Sequence, residues 1–514
     1  MSLEFKEYIT KSSEIILYVG NPNFEKLEML SNGAGDIWHS SFEQGYKNAF
    51  LDIVYQTIVF FWYVNDFDNL DECISWRLNP NHFAIRKSVW QKLGGFDREY
   101  KNKQLQALDF AYNALRNSGA IPLYSRGLYA VLDKEEIQIS TKDRYVFYRK
   151  NFKIDHSIFM LYRKGFWKLS ELNALFYAKK NFKKRGDLPI IPPRELKEIE
   201  GKPTVSYIIP TMMRQDFTLS LLDDLNNQTY LPYQVIVVDA TPENTRDESL
   251  YNAQNYPFEV QFHWQTTKGS CRARNEAIDL CTGDYIVFGD DDIRIQPTFI
   301  ENHIKLLQTY NAGACNGLDI RADNQQQNLN DLQQKLAGID DKRWFVGVTQ
   351  SFSNANSCVK RIYVNQLVGN DINYDGGYGE DSDFGISLTK MGVPVLHNPF
   401  SANLHLKPPV GGYRFWGTQA KIMGKKRKAQ PWELDTPVKK IRPVPSPTIM
   451  YQIHKQFTPQ QFIEYKHKYF SMYLFKGNKW QLPLKLIKLP YRLLQFKKSV
   501  FYAKKLIQLV KRTK

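Results

Sequence analysis

Acidic residues are missing from the last fifty positions of this 514-residue chain: Tyr465 to Lys514 holds 14 Lys and Arg and no Asp or Glu. The other 464 residues then carry 55 of the 69 bases against all 53 acids, so the formal charge of +16 falls to +2 outside the tail. Cysteine is also scarce. Cys73, Cys271, Cys281, Cys315 and Cys358 are odd in number, far apart and without CxxC spacing, which excludes a disulfide framework or zinc ribbon and predicts a reduced compartment. Long apolar runs are absent as well. The best window, Ala49 to Val64, contains Asp52 and falls short of the ~20 residues that cross a bilayer, so it reads as a core element. Met1 to Lys11 already contains two acids and two lysines and lacks a secretory leader's pattern, so a cytoplasmic location is expected. No nucleic-acid-binding motif accompanies the basic charge, and no nucleic-acid partner is expected. What is present, 43% hydrophobic and 24% charged residues, excludes bulk disorder. The length suits two or three domains at roughly 100–200 residues each. An aromatic content of 14% would serve stacking on sugars or bases as readily as core packing.

The basic tail has a pattern. After Pro490, Leu493, Phe496, Val500, Ala503, Ile507 and Val510 follow helical spacing, with Lys497/Lys498, Lys504/Lys505 and Lys511/Arg512 on the flanks. This predicts an amphipathic helix, and residues 465–514 are expected to meet an anionic membrane surface, at the inner face of the cell membrane. Docking of the same face onto the protein's own body, or onto a second subunit or assembly partner, is the alternative.

Asp187 to Pro203, with four prolines in a polar setting, reads as a linker. Beyond it, Val205–Ile209, Gln234–Val238 and Asp284–Phe288 are short β-branched runs separated by the helical stretches Thr218–Asn227 and Ser270–Leu280. Such alternation predicts an α/β domain with a mostly parallel sheet, whose ligands gather beyond the carboxyl ends of the strands. Polar residues cluster there: Pro210, Thr211 and Arg214 after the first run, Asp239 after the second, and Asp290-Asp291-Asp292 after the third. Three adjacent carboxylates need a neutralising cation, and a hard Mg²⁺ or Mn²⁺ fits. An acidic turn or helix cap is the plain alternative.

Five segments in order, VSYIIPTMMR (205–214), QVIVVDATPEN (234–244), KGSCRARNEAI (268–278), TGDYIVFGDDDI (282–293) and GGYGEDSDFGISLTKMG (376–392), resemble the inverting family 2 glycosyltransferases of the Rossmann-like GT-A fold. The resemblance implies a catalytic domain over 204–412 that binds a nucleoside diphosphate sugar, of UDP type in preference to GDP or dTDP. It implies donor binding by Pro210, Thr211, Arg214, Asp239, Lys268, Arg274, Asn275, Asp290 and Asp291. Asp239 falls where the family binds the nucleobase, and Asp290 near the ribose. A divalent metal, Mn²⁺ or Mg²⁺, is implied on Asp292, Asp290 and His405, with His397 in reserve. Asp381 matches the base that deprotonates the acceptor hydroxyl for a single inverting displacement, with Glu380 beside it. Trp344, Asn356 and Glu380 are expected on the acceptor side, and the acceptor is expected to be a glycan or lipid-linked glycan of cell-surface polysaccharide assembly. The alternative is a noncatalytic scaffold of a membrane glycan-assembly complex.

Residues Asn81 to Tyr124 repeat the later part of that domain. Laid against the chain from Asn356 with offsets of 275 and then 274, Asp97 meets Asp371 and Asp109-Phe110 meets Asp383-Phe384. Gln106 and Ala107, however, meet Glu380 and Asp381. Asp66 and Asp68 spell DxD without the accompanying segments. The expectation is a degenerate, noncatalytic GT-A-like domain over 1–186, a linker over 187–203, the catalytic domain, and a basic helical region over 413–514.

Overall fold

The computed structural model describes residues 4–511 apart from 54–61, 68–69, 131–133, 253–254, 350, 368, 407, 409–410 and 414–440. Part of the apolar window, Asp68, Arg512 and Lys514 therefore lie outside the described residues. The chain divides into two compact units: Met1–Pro193 with Phe345–Val348 and Pro459–Leu486, and Arg194–Trp344 with Thr349–Thr458 and Ile487–Lys514. The region expected over 413–514 is shared between them, Pro459–Leu486 going with the first unit and the rest with the second. The helix Pro447–Gln456 buries Met450, Tyr451 and Ile453 and Leu489–Ile507 buries Phe496, Tyr502 and Leu506, whereas Pro459–Phe475 buries Gln461 and Glu464 and Leu482–Ile487 buries none of its residues.

The second unit holds an eight-stranded sheet of β7 (Val205–Thr211), β8 (Gln234–Asp239), β9 (Glu259–Trp264), β10 (Tyr285–Gly289), β11 (Ile293–Ile295), β12 (Ala314–Arg321), β13 (Asn356–Lys360) and β14 (Val395–His405), in the order β11-β14-β12-β13-β10-β7-β8-β9. β10, β7, β8 and β9 run parallel, whereas β13 is antiparallel to both β10 and β12. The class is α/β as expected, and the sheet is mixed, with its parallel half on the side of the first three motif strands. Every residue of β7, β8 and β10 is buried, as continuous β-branched runs require when both faces are covered. The helix Ser270–Leu280 lies over β7 and β8 and buries Ala273, Ala277 and Ile278. Phe288 and Phe352 pack with Phe384 of the helix Glu380–Lys390. Truncating a fully buried Phe in such a core costs about 3–5 kcal/mol.

The first unit holds a six-stranded sheet of β1 (Lys6–Ile9), β2 (Ile15–Val19), β3 (Ile37–His39), β4 (Glu72–Ile74), β5 (Phe83–Arg86) and β6 (Pro122–Ser125), in the order β1-β2-β5-β3-β6-β4. Its run β2-β5-β3-β6-β4 has the same sequence of strand directions as β10-β13-β12-β14-β11: antiparallel, antiparallel, parallel, antiparallel. Counterparts of the parallel strands β7, β8 and β9 are missing among the described residues. In their place β1 closes the sheet antiparallel to β2.

The tail's final helix, Leu489–Ile507, packs against the helix Pro447–Gln456 through buried Gln495, Phe496, Ser499, Tyr502, Ala503 and Leu506. Of the apolar face predicted from spacing, Phe496 and Ala503 are buried and Ile507 and Val510 exposed. The docked stripe is rotated because Gln495, Ser499 and Tyr502 are polar or amphipathic by sequence yet lie inward.

Candidate active site

Strand pairing assembles the acidic cluster. Parallel pairing of β7 with β10 stops at Ile208 and Phe288, one step before Gly289 and two before Pro210, whose ring nitrogen has no proton to offer a ladder. The chain beyond β10 is thus free to turn, and Thr211 Oγ1 donates to Asp291 Oδ2 at 2.8 Å. β11 lies antiparallel to β14 with Ile293 opposite His405, which brings Asp292 to the imidazole: His405 Nε2 is 3.2 Å from Asp292 Oδ1. On the other edge of β10, Gly289 faces Asn356 of β13, so Asp290 emerges beside the Asn354 loop. Helix Glu380–Lys390 begins at Gly379, whose φ of 110° favours glycine, and presents Glu380 and Asp381 from its first turn.

These groups line one cavity of about 170 Å³ bounded by Pro210, Arg214, Arg274, Asp290, Asp291, Asp292, Asn354, Glu380, Asp381 and His405. A wider cavity of about 510 Å³ shares Arg214 and is lined by Met213, Gln215, Thr241, Thr245, Leu250 and Pro408. Ligand atoms of Asp290, Asp292 and His405 lie within 4.8 Å of one another. Two carboxylate oxygens and an imidazole nitrogen are a fitting donor set for Mn²⁺ or Mg²⁺.

The electrostatics agree with an anion and cation site. Arg214 Nη1 reaches Asp291 Oδ1 at 3.0 Å and Asp292 Oδ2 at 2.9 Å, serving as an internal counter-ion. Even so, burial, opposed by Arg214 and reinforced by Asp292, pushes Asp291 up to about 7. Arg274 Nη2 pairs with Asp290 Oδ1 at 2.6 Å, while its buried Nε has no partner and is a spare donor for an entering anion. Burial works to lower His405, but its hydrogen bonds to the carboxylates of Asp292 and Asp319 prevail and raise it to about 10. Asp381 is pushed up to about 8, first by burial and then by the charge of Glu380, against the pull of Arg274. A carboxyl so shifted is a competent proton acceptor near neutral pH.

Several expected residues stand elsewhere. Asn356, expected on the acceptor side, is wholly buried and bonded to His303, Asn403 and the carbonyls of Leu318 and Ser401; the first residue of a central strand has no route to solvent. Asn275 exchanges hydrogen bonds with the backbone of Asn370, leaving its amide committed within the fold. Asp239 is buried, and accepts from Thr241 and from Tyr251 Oη at 2.7 Å, so it supports the wider cavity from behind through Thr241. Lys268 is exposed just before the helix Ser270–Leu280. Trp344 is half exposed and meets Phe400 edge-on, and is not part of the cavity lining. His397 bonds the carbonyl of Arg343 at 3.1 Å, away from the triad, so the reserve metal ligand is not used.

Sequence reading missed three contributors. Asn354 donates to Asp381 Oδ1. Asp319, on β12 next to β14, accepts from Asn403 at 2.8 Å and lies 3.0 Å from His405 Nδ1, which turns Nε2 toward Asp292. Lys455, of the helix Pro447–Gln456, bridges Asp371 and Asp383 at 2.7 and 2.6 Å. Asn354 lies in the polar stretch Ser353-Asn354-Ala355-Asn356 between the acidic cluster and the Glu380-Asp381 pair; nothing in the local sequence marks Asp319 or Lys455.

Residues 206–366 match the family model Glycosyl transferase family 2. This region is a family 2 glycosyltransferase domain. The match includes the strands that carry Asp239 and Asp290–Asp292 and ends before Asp381 and His405. Over 98 residues the chain is 33% identical to the uncharacterized glycosyltransferase YibD of Escherichia coli, covering 19% of this chain and 28% of that protein. It is 30% identical over 95 residues to the putative colanic acid biosynthesis glycosyl transferase WcaA of Escherichia coli, covering 18% and 34%. To the amylovoran biosynthesis glycosyltransferase AmsB of Erwinia amylovora it is 28% identical over 106 residues, covering 20% and 35%. The chain thus spans about a third of the length of these curated relatives. Among solved structures, Staphylococcus aureus TarS 1–349 aligns with TM-score 0.38 and 13% identity over 60% of this chain and 83% of that one. A Pyrobaculum calidifontis mannosyltransferase in complex with GDP-Man and Mn²⁺ aligns with TM-score 0.32 and 20% identity, over 65% and 93%.

Proposed function

We propose that the family 2 domain transfers a sugar from a nucleoside diphosphate sugar, of UDP type, to a glycan or lipid-linked glycan acceptor in polysaccharide assembly, with inversion at the anomeric carbon. The observation that carries this reading is one cavity lined by the Glu380/Asp381 pair and by the Asp290, Asp292 and His405 triad. Asp381 accepts the proton of the acceptor hydroxyl as that oxygen attacks the anomeric carbon from the face opposite the diphosphate. Asn354 holds Asp381 in place, and Glu380 raises its basicity through like-charge repulsion. Arg274, through its unpaired Nε, and Arg214 bind the diphosphate oxygens. Asp290, Asp292 and His405 would hold a divalent metal, which when bound supplies positive charge to the departing diphosphate. The relatives named for colanic acid and amylovoran biosynthesis favour a cell-surface polysaccharide as the product class.

The first unit has Gln106 and Ala107 at the positions of the pair and serves no chemistry in this reading. No helix among the described residues is long and apolar enough to cross a membrane, and the acid-free segment 465–514 is read as the contact with an anionic membrane surface on the cytoplasmic side. The test is nucleotide release from a panel of donors with Mn²⁺, repeated with Asp381→Asn. Release with one donor class, abolished in the variant with nucleotide binding retained, is the expected result; no release with any donor and glycan acceptor pair overturns it.

A further inference from the structure

The final helix spends much of its apolar surface on the protein's own core, yet the tail still exposes large side chains elsewhere. After the helix Pro459–Phe475 the chain turns at Gly477, makes a single tight turn at Lys479–Gln481 and enters the short helix Leu482–Ile487. Around this elbow Phe475 is 69% exposed, Trp480 90%, and Leu484 and Leu486 about half. The elbow is not a loose end. Tyr473 Oη donates to the carbonyl of Lys485 at 3.2 Å, Lys485 Nζ donates to the carbonyl of Lys476 at 2.8 Å, and Trp480 N–H donates to Asn478 Oδ1 at 3.1 Å. The backbone is tied down while the indole points into solvent.

An ordered loop that holds a Trp and a Phe in water forfeits their burial, which isolated surface leucines do to a far smaller degree. Amphipathic aromatic rings beside lysines suit the boundary between headgroups and acyl chains. The charge is one-sided: no Asp or Glu occurs anywhere from Tyr465 to Lys514, so no acidic partner within the segment neutralises Lys476. A protein partner would have to supply both an apolar socket and compensating acids, whereas an anionic bilayer supplies both at once.

We infer that the elbow Phe475–Leu486 is the membrane-insertion element of this protein, with Phe475 and Trp480 entering the interface of an anionic lipid surface. The inference rests on the membrane-contact reading above and moves its anchor from the face of the final helix to the elbow. The helix stays docked on Pro447–Gln456, and the elbow brings the unit that carries it to the bilayer.

The test uses the full chain and co-sedimentation with vesicles of phosphatidylcholine alone or mixed with phosphatidylglycerol. The wild type should sediment with the mixed vesicles only. Phe475→Ser/Trp480→Ser should lower that partition by about tenfold or more, while Ile507→Ser/Val510→Ser should change it by less than about twofold. Thermal melts of both variants check folding, and nucleotide release should be unchanged in both, so that loss of the anchor is separable from loss of the enzyme. A wild type that ignores anionic vesicles overturns the membrane reading and the elbow together. Binding lost only in the Ile507/Val510 variant overturns the elbow alone. A dimer that becomes monomeric in the Phe475/Trp480 variant, with vesicle binding intact, assigns the elbow to a second copy and likewise overturns it.

Discussion

The helix Glu380–Lys390 of the second unit and the helix Lys103–Asn113 of the first share one kind of support, with the Glu380-Asp381 acid pair in one and Gln106-Ala107 in the other. In the second unit Tyr374 Oη donates to Asp383 at 3.0 Å, and Lys455 bridges Asp371 and Asp383. In the first, Tyr100 Oη donates to Asp109 at 2.9 Å, Arg185 bridges Asp97 and Asp109, and Lys150 pairs with Asp97. A pair of aspartates, both buried in the second unit and one of them half-buried in the first, a tyrosine and a cation from a later segment fix both helices. The difference lies at the position of the pair: Asp381 meets Asn354 at the cavity, whereas Ala107 is buried and Gln106 donates to the carbonyl of Tyr100. The comparison separates what holds the helix from what the helix does. Support lies in ion pairs set away from the acid pair, so one can be lost without the other.

Asp381→Asn should lower turnover by about 10²–10⁴-fold, the usual contribution of a general base, with nucleotide affinity intact. Restoring the pair in the first unit by Gln106→Glu/Ala107→Asp should add no donor turnover to that variant. Turnover regained there would show that the parallel strands β7, β8 and β9 are dispensable. Next in size, Asp292→Ala should abolish Mn²⁺ binding measured by calorimetry without nucleotide. Asp319→Asn should weaken it by about 10–100-fold, the range for a residue that orients a metal-ligating histidine. Unchanged Mn²⁺ affinity in Asp319→Asn would reduce that residue to sheet packing.

Removing one partner of a buried ion pair costs about 3–5 kcal/mol. Lys455→Met and Arg185→Met should therefore each destabilise their own unit in guanidinium melts by amounts in that range, somewhat less for the partly exposed Arg185. Lys455→Met should also slow turnover, because the helix it pins through Asp383, Glu380–Lys390, carries Asp381, and Arg185→Met should leave turnover unchanged. Equal effects on turnover would erase the distinction between the two units. The smallest effect is in pH. Asp381, raised to about 8, must lose its proton to act, so kcat/KM should rise with pH and level off above about 8, and the limb should be absent from the residual rate of Asp381→Asn. The same shift makes the protonated carboxyl the form the fold prefers. Its stabilising contribution is complete below the unfolded value of about 4 and is lost as pH rises through about 8, a slope that Asp381→Asn should flatten in denaturation curves.

The chemistry of the second unit was legible because it is written in short runs. Continuous β-branched strands need burial on both faces, and the polar residues that follow them must gather at one edge, so Asp290–Asp292 and Arg214 could be placed together from letters alone. His405 was placed by the resemblance, and pairing of β11 with β14 supplied the physical reason. Asn356 and Asn275 misled because an Asn in a motif says nothing about which way its amide faces; both are spent on backbone and side-chain partners inside the fold. Asp319 and Lys455 carry no sequence signal, since each acts through a neighbour on another strand or helix.

Sequence by itself determined the class of the second unit, the acidic turn after β10, the Glu380-Asp381 pair, the lost pair at Gln106-Ala107 and the confinement of excess charge to the last fifty residues. These follow from composition, period and order, which are local. The fold settled that the tail's helices divide between two units, that the final helix turns Tyr502 inward and leaves Ile507 outside, and that Asp319 stands behind His405. Those outcomes depend on which buried surfaces compete for a side chain, and that competition involves residues far apart in the chain.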